Sequence, residues 1–329
     1  MPSWSSSKTI PLLTLVCLSV PFPSSALDRS QLDHALAPYQ KVGGIAGGTL
    51  SSIGSDTFNN LMTLWAEDFS RQYPGVRIQI EGKGSNTAPP ALIEGTAQLA
   101  PMSRRMKASE VAMFEMKFGY KPMGFPVAID ALAIYVNKQN PLQGLTLDQV
   151  DAAFSKSRRL GHEDHLRTWG QLGLTGEWAA VPITLYGRNA MSGTYEFFKE
   201  QALKNGDFKD EVKEQPGSAS VVQGVTEDRY GMGYSGVGYV APGVRMVPLA
   251  ERAGLPYVEP TQAHARNGSY PLWRYLYIYV NQVPNRPLSP TIREFLRFVY
   301  SREGQADVLK DGYFPLSGDL AKREVTRLR

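Results

Sequence analysis

The order of predicted strands and helices over residues 48–94 is the feature that most constrains the fold. A short strand over residues 48–53 comes first, and apolar residues at helical spacing follow it, namely Phe58, Leu61, Met62, Trp65 and Phe69. Pro74 and Gly75 end that helix, and the segment VRIQIEG then alternates apolar and polar residues as a strand does. A glycine turn and another helix start come next. This alternation predicts the α/β class, with a mostly parallel sheet flanked by helices.

Two long apolar segments indicate how the rest of the chain is organised. Residues 123–142 and 270–288 are both extended and rich in strand-forming residues, which suggests that the chain leaves one lobe, builds a second and returns. Two consecutive domains are the alternative, but the last ~40 residues resemble a helix pair without a sheet of its own. The predicted organisation is a signal peptide (1–26), an N-terminal arm (27–47), lobe I (48–130 and 274–329) and lobe II (131–273), with two hinge crossings.

The first 26 residues differ from the rest of the chain. Lys8 precedes a short apolar stretch that ends in small residues, which is typical of a secretory signal cut after Ala26. A membrane anchor is the alternative, but the apolar run is shorter than the roughly 20 residues that a membrane span takes. Cys17, the only cysteine of the sequence, lies in this segment. The mature protein therefore contains no disulfide and no thiolate nucleophile or metal ligand, and we expect it in the periplasm.

The charge balance suits a small anionic ligand and gives no indication of nucleic-acid binding. The 329 residues include 35 Lys and Arg against 31 Asp and Glu, a formal net charge of +4. The basic residues are scattered, and the longest basic runs, at 103–107 and 155–159, are more typical of solvated surfaces than of nucleic-acid sites.

Four turns share a composition of glycine and small hydroxyl residues just before a helical pattern. They are GSDTF (54–58), GKGSNTA (82–88), APMSRRM (100–106) and RNAMSGT (188–194). The start of a helix leaves backbone N–H groups unpaired and carries partial positive charge, so it attracts anions. For any single turn ordinary N-capping is the better explanation, but four such turns in one chain favour an anion site.

The fourth turn adds a cation to these donors. Arg188 offers a planar fork that matches two oxygens of a tetrahedral anion, and Ser192, Thr194 and the amides around Gly193 add further donors. A surface ion pair is the alternative role of Arg188. Its position directly after the predicted strand PITLYG argues for a ligand site, because open α/β sheets bind ligands at the carboxyl ends of their strands.

These turns, in this order and spacing, give the chain a resemblance to a known family. The combination of RxxxSGT with the later GYSGVGY, together with VAIDALAIYVN and EQPGSASVV, resembles the PstS family, the phosphate-binding proteins of bacterial phosphate ABC transporters. The similarity extends from about Gly47 to Ser317. It implies a two-lobed type II periplasmic binding protein that carries inorganic phosphate to the permease subunits. It further implies a monomer without enzymatic activity, cofactor, metal or nucleic-acid partner.

The resemblance also implies which residues bind phosphate. Matching the family motif position by position gives Thr57 and the Phe58 amide, Ser85 and Ser103 from one lobe, and Arg188, Ser192, Gly193 and Thr194 from the other.

One of these positions departs from the family pattern. Ser103 stands where many relatives have an aspartate that accepts the proton of phosphate, which sulfate lacks. A serine hydroxyl both donates and accepts, so Ser103 can fill this role weakly. Asp56 is a second candidate acceptor, although N-capping of the following helix is the favoured interpretation of this residue.

The alternatives to phosphate binding are a hydrolytic activity, a different oxyanion ligand and a metal site. An exported phosphoester hydrolase would use Ser192 or Thr194 as its nucleophile, but the motif contains no histidine, cysteine or lysine as a base. Sulfate or another oxyanion is a further possible ligand. The segment HEDH (162–165) has metal-ligand spacing but lies in a polar insert, so no metal site is expected there.

Overall fold

The structure is a computed structural model that describes Met1 and residues 31–328. The predicted signal peptide after Met1 and the first residues of the predicted arm, 27–30, lie outside the described residues. The strands are β1 (Gly48–Gly54), β2 (Val76–Gly82), β3 (Ala100–Met102), β4 (Met123–Asn137), β5 (Leu145–Thr146), β6 (Thr184–Arg188), β7 (Lys213–Gln215), β8 (Gly231–Gly236), β9 (Val244–Val247), β10 (Leu249–Ala250) and β11 (Trp273–Val280). The helices are α1 (Asn59–Gln72), α2 (Ala88–Glu94), α3 (Ala108–Phe118), α4 (Leu147–Phe154), α5 (Gly193–Gln201), α6 (Ser218–Glu227), α7 (Gln262–Arg266), α8 (Pro290–Val299), α9 (Arg302–Lys310) and α10 (Gly318–Thr326).

The α/β class and the order of the first elements are confirmed. β1 and β2 pair in parallel, with Gly48 opposite Val76, and α1 connects them. The apolar positions that predicted the helix are buried in α1, where Leu61, Met62, Trp65 and Phe69 face the core. The buried face of α1 therefore follows from the helical spacing of its apolar residues, and the end of the helix follows from Pro74.

The larger sheet is more mixed than the sequence predicts. Its strand order is β3-β11-β4-β8-β6-β7, with β9 also paired to β4. β6 pairs in parallel with β7 and β8, but β4 runs antiparallel to β8, β9 and β11. β4 and β11 lie within the two long apolar segments of the sequence, and they run antiparallel to each other.

β4 changes partners along its length. Residues 123–131 pair with β11, and residues 132–137 pair with β8 and β9. Because β4 has partner strands on both sides, it is apolar and buried almost throughout. The partner change lies between residues 131 and 132, next to the predicted hinge crossing. The lobe boundaries at 130/131 and 273/274 stay a prediction.

The C-terminal segment forms three helices, α8 to α10, where the sequence suggested a pair. α8 and α9 pack on α1: Phe69 meets Phe295 edge-on with ring centres 5.5 Å apart, and the Trp65 indole N–H donates to the Gly304 carbonyl at 2.8 Å. The end of the chain therefore covers the apolar face of the first helix.

Asp311, directly after α9, makes the stability of this region depend on pH. Burial raises the pKa of its carboxyl from 3.8 to about 7, and the neighbouring Asp307 adds to the rise. Because the folded state favours the protonated form, this contribution to stability is complete below about pH 3.8 and is lost as pH rises through about 7.

We expect Asp311→Asn to raise the free energy of unfolding at pH 8 by about 2 kcal/mol, since it removes a buried charge. Denaturant unfolding between pH 5 and pH 8 should show a smaller pH dependence in this variant than in the wild type. Asp319→Asn, at an exposed position of α10, is the matched control. An identical pH dependence in wild type and Asp311→Asn would contradict the prediction.

Candidate functional site

Four buried hydroxyl side chains converge from distant parts of the sequence. Thr57, Ser85, Ser103 and Thr194 are each at most 1% exposed. The Thr57 and Thr194 Oγ1 atoms are 2.8 Å apart, and the Ser85 and Ser103 Oγ atoms are 3.2 Å apart. The fold therefore brings together side chains from all four hydroxyl-rich turns that the sequence singled out.

Gly193 lies between the two hydroxyl pairs: it packs against Ser85 and Ser103 and directly precedes Thr194. It is the first residue of α5, and a Cβ atom placed on it would lie 2.3 Å from Ser85 Oγ and 2.7 Å from Ser103 Oγ. Real Cβ atoms do not approach an oxygen so closely, so the helix start meets Ser85 and Ser103 only because residue 193 has no side chain. The amino end of α5 is thereby set against the hydroxyls, where its partial positive charge favours an anion.

Ser192 is the N-cap of α5. Its Oγ accepts hydrogen bonds from the Thr194 amide at 3.1 Å and the Tyr195 amide at 3.4 Å. A hydroxyl that accepts these bonds still has its own O–H to donate. Capping and ligand donation are therefore compatible in this residue.

Arg188 ends β6 and lies inside the protein, with 1% of its surface exposed. Its Nη1 donates to Ser218 Oγ at 2.6 Å, and its Nη2 donates to the Pro216 carbonyl at 3.0 Å. Nη1 is also 3.2 Å from Asp56 Oδ2. Burial lowers the pKa of Arg188 and the Asp56 carboxylate opposes this, so the guanidinium remains charged. The alternative of a surface ion pair is wrong, because the arginine side chain is buried, although its partner Asp56 is partly exposed.

The favoured interpretation of Asp56 as an N-cap is also wrong. The N-cap of α1 is Phe58, which makes no side-chain capping bond. The Asp56 carboxylate instead accepts a hydrogen bond from the Ser218 amide at 2.9 Å and faces Arg188. The local sequence suggests an N-cap. The carboxylate instead binds the Arg188 guanidinium and the Ser218 amide, which lie 132 and 162 positions further along the chain.

Ser103 lies within the cluster, beside Ser85. Its amide donates to Ser85 Oγ at 3.0 Å, and its hydroxyl is fully buried. Phe58, whose amide was the remaining predicted ligand, is also fully buried at the start of α1. The roles of these residues toward a ligand stay predictions.

Two site residues were missed by the sequence analysis. Asp130 on β4 and Arg274 on β11 face each other in the antiparallel register, and Arg274 Nη2 is 2.7 Å from Asp130 Oδ2. The same Nη2 donates to Thr194 Oγ1 at 2.9 Å. The available signal was a single charged residue inside each of two otherwise apolar strands, since buried charges are rare unless paired.

Glu196 connects α5 to the segment around α3. Its carboxylate lies 2.6 Å from Arg104 Nε and 2.6 Å from Lys107 Nζ, and it accepts a bond from Asn86 Nδ2 at 3.0 Å. These contacts hold the start of α5 against the turns that contribute Ser85 and Ser103. A groove of about 740 Å³ runs beside this network and shares Arg274 with the hydroxyl cluster.

The part of the chain that the structure describes contains neither a metal-binding cluster nor a helix suited to crossing a membrane. In residues 31–328 no three His, Cys, Asp or Glu side chains lie close enough together to hold a metal ion. His162 Nδ1 instead interacts with the Asp164 backbone within the polar insert. Over the same residues, no helix combines the length and the apolar character that a membrane crossing requires.

Comparisons with known proteins agree on one family and one fold. The PBP superfamily domain matches residues 42–303. The phosphate-binding protein PstS of Pseudomonas aeruginosa is 54% identical over 316 residues, which cover 96% of this chain and 97% of that protein. Protein SphX of Synechococcus elongatus is 26% identical over 84% of this chain and 80% of its own.

Two solved structures are similar in fold. A putative phosphate ABC transporter substrate-binding protein with bound phosphate from Clostridium perfringens has a TM-score of 0.69 at 24% identity and covers 82% of this chain and 100% of its own. An ABC-type phosphate transport receptor from Vibrio cholerae has a TM-score of 0.62 at 22% identity and covers 81% of this chain and 100% of its own. The α/β architecture described above is therefore that of these binding proteins.

Proposed function

The chain belongs to the PBP superfamily and, within it, to the PstS family of phosphate-binding proteins, and from this we propose that it captures inorganic phosphate between two lobes and delivers it to an ABC-type permease. The observation that carries the proposal is the convergence of four buried hydroxyls at the amino end of α5, with the buried Arg188 held against Asp56, the residue before Thr57. Hydroxyls, helix amides and a guanidinium fork are the donors that a tetrahedral oxyanion requires.

In the proposed complex each donor holds a part of the anion. The side chains of Thr57, Ser85 and Ser103 donate from one lobe, together with the Phe58 amide. Arg188 and the Ser192–Thr194 turn donate from the other. Because these donors are buried, a ligand that fails to satisfy them leaves unpaired polar groups behind, at a cost of about 1–3 kcal/mol each.

Discrimination against sulfate requires an acceptor for the phosphate hydrogen. Ser103, with a fully buried hydroxyl, and Asp56, with its carboxylate beside Arg188, are the two candidates. A hydroxyl accepts one such hydrogen bond while it donates elsewhere, and a carboxylate accepts without donating. In either case sulfate loses a hydrogen bond that phosphate makes.

Ligand binding is proposed to favour the closed arrangement of the lobes. Glu196 contacts Arg104, Lys107 and Asn86 only while α5 lies against the opposite turns. A bound anion that touches both sides adds further contacts to that state, so it shifts the population toward closure.

The remaining parts of the proposal concern partners and location. We place the mature protein in the periplasm after removal of residues 1–26, as a monomer that meets the permease subunits in its phosphate-bound form. We propose transport and not catalysis as its role. Within the described residues, the side-chain hydrogen bonds of Ser192 and Thr194 are to amides of α5, to Thr57 and to Arg274, none of which is a base.

Isothermal titration calorimetry with phosphate and with sulfate tests the function. We expect one phosphate per chain with sulfate much weaker, because sulfate lacks the hydrogen. Equal or tighter sulfate binding would overturn the choice of ligand. Steady release of product from a chromogenic phosphate ester by the purified protein would favour a hydrolase instead, with the Arg188→Ala variant as the control for contaminating phosphatase.

A further inference from the structure

Arg274 is a second buried arginine at the edge of the hydroxyl cluster. Its side chain is 4% exposed, and its Nε and Nη2 donate to Asp130 Oδ2 at 2.9 Å and 2.7 Å. The other Asp130 oxygen accepts the Val237 amide at 3.1 Å. This ion pair joins β4 to β11, the two strands that cross between the proposed lobes.

The guanidinium of Arg274 has N–H donors that its ion pair with Asp130 does not use. Nη2 reaches beyond Asp130 to Thr194 Oγ1, which in turn lies 2.8 Å from Thr57 Oγ1. Nη1 is buried and has no hydrogen-bond partner among the residues that the structure describes. The ring of Phe197 covers the guanidinium, with its centre 5.1 Å from Cζ. A buried, charged donor without a partner is costly, so its presence indicates a ligand that supplies the missing acceptor.

We infer that Arg274 is a second guanidinium ligand of the bound anion, and that the site therefore selects the dianionic form of phosphate. The inference rests on the proposed function and deepens it. Thr194 is a proposed ligand, and Arg274 Nη2 already touches its hydroxyl. Arg188 and Arg274 then approach the anion from β6 and from β11, each with one carboxylate partner, Asp56 and Asp130.

The charge state of the ligand follows from this donor set. A guanidinium only donates, so it needs an unprotonated phosphate oxygen, and the dianion offers one more of these than the monoanion. The charged and titratable side chains nearest the Arg274 guanidinium include Asp130 on β4, Arg188 on β6 and Tyr313 before α10. Those that line the groove beside it are Arg104, Arg105, Lys107, Tyr195, Glu196, Lys199, Glu200, Tyr275 and Tyr277. Burial raises the pKa of Tyr313 well above its usual value, so this group stays neutral.

A purely structural role is the competing explanation, in which Arg274 only holds Asp130 and orients Thr194. The two roles differ in how the effect of a mutation depends on the ligand's charge. Loss of a direct contact weakens the dianion much more than the monoanion. Loss of a positioning contact weakens both forms equally.

The test uses the double variant Arg274→Gln/Asp130→Asn. It replaces the ion pair by a neutral hydrogen-bonding pair, so no buried charge is left alone and the net charge of the protein is unchanged. Phosphate affinity is measured by calorimetry below and above the second pKa of phosphate, for the wild type and the double variant. Thermal unfolding without phosphate confirms that the variant is folded.

We expect the wild type to bind phosphate more tightly above that pKa, and the double variant to lose about tenfold to a hundredfold there with a much smaller loss below it. A loss of equal size at both pH values, or no loss, would overturn the inference while leaving the proposed function intact. A wild type that does not bind phosphate at either pH would overturn the proposed function itself, and the inference with it.

Arg274→Lys is the second variant for this test, to be used if the double variant does not fold. A lysine keeps the charge opposite Asp130, but one compact ammonium does not replace the guanidinium fork toward Asp130, Thr194 and the anion together. We expect the same preferential loss above the second pKa of phosphate, and unchanged affinity would again overturn the inference.

Discussion

Replacing Arg188 by alanine is expected to weaken phosphate binding by at least about a hundredfold. The arginine is 1% exposed and holds Asp56, Ser218 and Pro216 in place. Its removal takes away the fork that would bind two anion oxygens, and it leaves the carboxylate of Asp56 facing the site without its cation. Charged hydrogen bonds are worth about 1.5–3 kcal/mol each, so two of them account for a loss of this size.

The matched control is Arg252→Ala, which removes the same charge from an exposed position. Calorimetry should give wild-type affinity for this control, and thermal unfolding should show both variants folded. Arg188→Lys separates charge from geometry, because lysine keeps the charge but loses the planar fork. Wild-type affinity in Arg188→Ala would refute the placement of the site.

Replacing Gly193 by alanine is expected to weaken phosphate binding by about tenfold to a hundredfold. The added methyl group would meet Ser85 Oγ at 2.3 Å, so α5 cannot reach the opposite turn without a shift. Overpacking of this kind costs about 1–3 kcal/mol. Because the clash arises only when the two sides meet, thermal unfolding in the absence of phosphate should change less than the affinity does.

Gly43→Ala is the control, since a Cβ atom at this exposed glycine meets nothing within 4 Å. Its affinity for phosphate should equal that of the wild type. A Gly193→Ala protein that binds phosphate normally would show that the close approach of α5 to Ser85 and Ser103 is not part of the bound state.

The sequence predicted the parts of the site whose signal is local. Small hydroxyl residues and glycines before a helix are recognisable within a few positions, so all four turns can be identified from the sequence alone. Arg188 was recognisable for the same reason, because it lies at the end of a strand, shortly before a helix start. The apolar spacing of α1 and the following Pro74 likewise predicted its buried face and its end.

The errors and omissions concern contacts between distant residues. Asp56 was assigned to its own helix, but its carboxylate binds Arg188 and the amide of Ser218. Asp130 and Arg274 were passed over within apolar strands, because each is costly to bury alone and acceptable only beside the other. Their pairing depends on the register of β4 against β11, which a single sequence does not specify.

The sequence by itself determined the α/β class, the four hydroxyl-rich turns and the arginine at the end of β6, because propensity, periodicity and turn chemistry act over a few residues. Only the tertiary structure decided that the sheet is mixed, that Asp56 serves the opposite side of the site and that Arg274 joins Thr194. The reason is that electrostatic partners and sterically close approaches are fixed by three-dimensional distance. Gly193 and Ser85, 108 positions apart in sequence, nearly touch for that reason.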